Sequence, residues 1–126
     1  MPTGQAGSQE MQYRNQVLQI GGFATEKGTA TATTGAATCD AWAGTITSES
    51  LTTAAAAEYT LTLTNSKIAA GDLVFASADA ASSAGTPAIG GCTVSAGQVI
   101  ITVSNVHASA AFDAAIKIHF FVVKAL

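Results

Sequence analysis

The chain has 126 residues and a mass of 12.5 kDa, enough for one domain with a single core and too little for a core plus an elaborate active site. Its formal charge is −3 and its five Lys and Arg residues are scattered, which argues against nucleic acid as a partner, since phosphate binders concentrate cations on one face. No run approaches the roughly eighteen apolar residues that span a bilayer, and the start Met1-Pro2-Thr3-Gly4-Gln5 lacks the basic and apolar parts of a signal peptide, so no membrane partner is expected and a cytoplasm is the expected place of synthesis.

Ala, Thr, Ser and Gly make up more than half of the residues and charged residues only 10%, an inventory that favours turns and closely packed strands over long helices. A low-complexity linker has the same composition. Period-two apolar recurrence in several separated segments argues against that reading for most of the chain.

Residues 1–27 stand apart. They hold the one arginine, Arg14, a cluster of Gln and Asn around Tyr13, and the apolar patch Val17-Leu18-Gln19-Ile20 ending at Gly21-Gly22. This reads as an extended arm, against the alternative of a solvated tail, because Tyr13, Val17, Leu18, Ile20 and Phe23 offer apolar surface that a tail does not need.

From Gly28 the pattern is one of strands and turns. Thr alternates with Ala from Gly28 to Thr34 and breaks at Gly35; the next strand is Gly44 to Ser48. Glu49 to Ala57 is either a single helical turn or a loop. The clearest alternation follows, with Tyr59, Leu61 and Leu63 on one side, Thr60, Thr62 and Thr64 on the other, and Asn65-Ser66 as the turn. Leu73 to Ser77 is the next strand, and Asp79 to Gly91, with Pro87 and Gly90-Gly91, reads as a long loop. Cys92 to Ser95 and Gln98 to Ser104 read as a hairpin across Ala96-Gly97. Val106 to Ala115 is a loop anchored by Phe112, and the last strand runs from about Ile116 to Lys124. Six or seven short strands at about ten-residue spacing predict an all-β fold. The expected architecture is a single β-sandwich or jelly-roll-like domain over residues 28–126, preceded by the 1–27 arm.

Reactive side chains are sparse. His107 and His119 have no acidic neighbour in sequence and belong to no zinc or triad pattern. Cys39 and Cys92 have no CxxC spacing and fit small buried hydrophobes better than a disulfide or metal site. The glycine pairs lack phosphate-loop spacing and a following helix. Trp42, the one tryptophan, suits a core plug or a contact hot spot, with sugar binding as a lesser option. Phe75, Phe112 and Phe120 are expected in the core. No catalytic residue, metal or cofactor is expected, and the chain does not read as an enzyme.

The runs Ala43 to Ala54, Tyr59 to Ser66, Gly71 to Val74, Gln98 to Asn105 and Ile116 to Lys124 resemble small virion proteins of tailed bacteriophages, over roughly residues 28–126. The nearest likeness is to the capsid decoration, or cement, family. That resemblance implies a compact sandwich that sits on the outer shell as a dimer or trimer, with the major capsid protein and its own copies as partners. A tail or fibre component and a carbohydrate-binding sandwich are the alternatives.

The closing strand begins half polar and ends apolar on both faces, so it calls for a cover. Ile116, Ile118, Phe120 and Val122 are assigned inward, which leaves Phe121 and Val123 for an oligomer or capsid interface together with Tyr13, Val17, Leu18, Ile20 and Phe23.

Overall fold

The computed structural model describes residues 16–19 and 22–126, with side chains from residue 24 onward. The described residues form ten strands: β1 (Gln16–Gln19), β2 (Gly22–Thr25), β3 (Lys27–Thr31), β4 (Ala36–Thr38), β5 (Ala43–Thr47), β6 (Glu58–Thr64), β7 (Leu73–Asp79), β8 (Pro87–Ser95), β9 (Gln98–Asn105) and β10 (Lys117–Val123). β1 and β2 are a separate antiparallel ribbon. The others make two four-stranded sheets, β3-β5-β10-β7 and β4-β6-β9-β8, packed face to face. The fold is an all-β sandwich.

Strict alternation builds both layers, because successive side chains of a strand point to opposite faces. Leu61 and Leu63 of β6 and Val99, Ile101 and Val103 of β9 face Ile46, Ile118, Phe120 and Val122 of the other sheet, all buried. Phe112 and Ile116, from the connection between β9 and β10, fill one end of this core. The inward set predicted for the last strand is therefore the observed one. Cys39 is buried, Cys92 is half-buried against the core, and both are free thiols. Burial raises the pKa of each, and at Cys39 the Asp40 carboxylate adds to the rise.

Several sequence expectations are corrected in detail. β8 begins at Pro87, inside the segment read as a loop, so the loop spans only residues 80–86. Proline is tolerated at the first residue of an edge strand, and the register shift between Ile89 and Gly91 makes the Gly90-Gly91 pair a bulge instead of a break. Of the two readings of Glu49 to Ala57, the loop is the one observed. A short strand, Ala36–Thr38, was not foreseen. It is reached through Thr34 and Gly35, both at positive φ (50° and 74°), the combination of a two-residue type I′ turn, closed by mutual hydrogen bonds between Thr33 and Ala36. Glu49 fastens this turn to β6, accepting from the Gly35 N–H at 2.7 Å and from the Tyr59 hydroxyl at 2.9 Å.

Two fully buried asparagines close the ends of the sandwich. Asn105, at the end of β9, accepts from the Thr86 and His107 N–H groups through Oδ1 and donates through Nδ2 to the Thr53 and Ala110 carbonyls. Asn65, after β6 at the opposite end, donates to the Ala41 carbonyl at 2.7 Å and accepts from the Lys67 N–H at 3.0 Å. Each ties loops from different strands, whose backbone polar groups otherwise lack partners at the core's edge. Asn105→Ala orphans several buried groups at about 1–3 kcal/mol each, so it should lower unfolding stability by about 3 kcal/mol or more. The urea midpoint checks this, with Ser104→Ala next to it expected to stay within about 0.5 kcal/mol of the parent.

Candidate functional site

The register of β7 against β10 sets Leu73 beside Val123, Phe75 beside Phe121, Ser77 beside His119 and Asp79 beside Lys117. All eight lie on the outer face, because Val74, Ala76 and Ala78 alternate with them toward the core, as do Ile118, Phe120 and Val122. Leu73 is 55% and Phe75 60% exposed, while Phe121 and Val123 are half-buried. Phe75 is therefore not a core residue, contrary to the sequence expectation.

The cause lies on the inner side of the same sheet. The Phe120 ring occupies the row whose neighbours are Gly44 on β5 and Ala76 on β7. A Cβ on Gly44 would stand 2.6 Å from that ring, so only small residues fit beside it, and β7 presents its bulk outward. Phe75, Ser77, His119 and Phe121 line a shallow concavity of about 230 Å³. His119 is fixed by a 2.8 Å hydrogen bond between Nδ1 and Thr45 Oγ1.

Next to the patch, the C-terminal end of β10 is clamped. Asp72, immediately before β7, has its carboxylate buried and accepts from Lys124 Nζ, from the Ala69 N–H at 2.8 Å and from the Ala125 N–H at 3.1 Å. Lys124 Nζ also lies 5.7 Å from the Trp42 ring centroid and Lys67 Nζ 5.8 Å from it, both within cation–π range. Trp42, Lys67, Asp40 and the Glu26–Gly28 stretch border a cleft of about 260 Å³. Trp42 packs partly against the core, and its carbonyl accepts from the Val122 N–H at 2.7 Å.

Of the predicted interface residues, Phe121 and Val123 share the outer face, where the structure adds Leu73 and Phe75. Val17, Leu18 and Phe23 lie in the β1–β2 ribbon, with Leu18 opposite Phe23 and Val17 opposite Ala24; Tyr13 and Ile20 fall outside the described residues. A usable signal for Leu73 and Phe75 was present, since charged Asp79 marks the wet face of β7 and period two carries that face back through Ser77 to both. The two histidines do not meet. His107 Nδ1 accepts from the Ser109 and Ala110 N–H groups in its own loop, while His119 pairs with Thr45 on β5. Among the described residues no three His, Cys, Asp or Glu side chains converge on a metal position. No protein-family model matches this chain, and neither a curated protein nor a solved structure is significantly similar to it.

The Lys124 hydrogen bond, with those from Ala69 and Ala125, brings the Asp72 carboxyl down from 3.8 to about 2. A depressed carboxyl stabilises the fold fully above the unfolded-state value and loses that contribution as pH falls through the folded one. Unfolding stability should thus decline between about pH 4 and pH 2. In Asp72→Asn this part of the decline should be missing, as urea midpoints taken across that range will show.

Proposed function

We propose that this chain is a structural virion protein that binds the outside of a phage capsid and cements neighbouring major capsid protein subunits. The observation that carries the reading is the apolar patch of Leu73, Phe75, Phe121 and Val123 on the outer face of the β3-β5-β10-β7 sheet. Such a patch on so small a domain suits a contact surface, and the resemblance of several strand segments to decoration proteins gives the contact its setting. A capsid filled with DNA is under internal pressure that separates its subunits at their seams. A small domain bound across a seam stabilises the closed shell by mass action, since it binds the assembled lattice and not the separated subunits. One patch of this size gives a modest affinity, and several contacts per oligomer raise the retention steeply. No step in this role requires a reacting group.

The test is co-sedimentation of the purified protein with expanded, DNA-free heads of its phage. Saturable binding is expected, and Phe75→Asp should reduce occupancy at subsaturating protein by about tenfold with an unchanged melting temperature, because Phe75 is already exposed. Binding to isolated tails and not to heads favours the tail or fibre role instead, and binding to neither removes the virion reading.

A further inference from the structure

We draw no further inference here: the strongest candidate, the cleft of about 260 Å³ bordered by Trp42, Lys67, Asp40 and the Glu26–Gly28 stretch, carries nothing, because nothing in the structure shows what covers it or which ligand its exposed charged side chains would recognise.

Discussion

The sandwich depends on satisfying backbone groups where its strands end. Strands of three to nine residues leave a large share of the chain in connections, and a buried connection with unpaired N–H or C=O groups is costly. Asn65 and Asn105 meet that constraint from opposite ends of the β6–β9 pair, each joining loops that reach both sheets. Each bonds through both ends of its amide and through its main chain as well. With the ends sealed in this way, a thin core of Ile, Leu and Val stays dry although more than half of the residues are Ala, Thr, Ser and Gly.

Small residues also decide which side chains face water. Gly44 and Ala76 flank Phe120, and a Cβ on Gly85 would overlap the Phe112 ring. In a mainly aliphatic interior these two rings each fit only because a neighbouring position has little or no side chain. Where the inner position is already taken, a strand such as β7 turns its own large residues outward. The apolar outer face is thus coupled to the packing of the core, and removing bulk inside would change what β7 can present outside.

Most of the fold was legible because alternation survives in short segments. β5, β6, β9 and β10, the inward set of the last strand and the Phe112 anchor could all be read from period two and from isolated large residues in polar loops. β4 was not legible, since Ala36-Ala37-Thr38 has no bulk to create a pattern and owes its place to the turn before it. Pro87 and Gly90-Gly91 misled for the opposite reason. They are strong breakers in a central strand, but on an edge strand one starts the strand and the others form its bulge. Half of the outer patch was legible in Phe121 and Val123. Leu73 and Phe75 were missed because apolarity alone does not tell which face of β7 is wet; the charge that does tell, Asp79, sits at the far end of the strand and reaches them only through strict alternation by way of Ser77.

Strand order within the sheets carries a kinetic meaning. Of the six pairings in the two four-stranded sheets, only β8 with β9 joins consecutive strands; the parallel pairs β3–β5 and β4–β6 each skip a strand, and β5–β10 closes across most of the domain. Five of the six pairings in these sheets therefore require a loop to close before anything is gained. Within the two four-stranded sheets the β8–β9 hairpin is the local pairing on which the others can build. Such a chain folds slowly, on the millisecond-to-second scale typical of β-sandwiches, and until β10 inserts between β5 and β7 the first sheet has no centre.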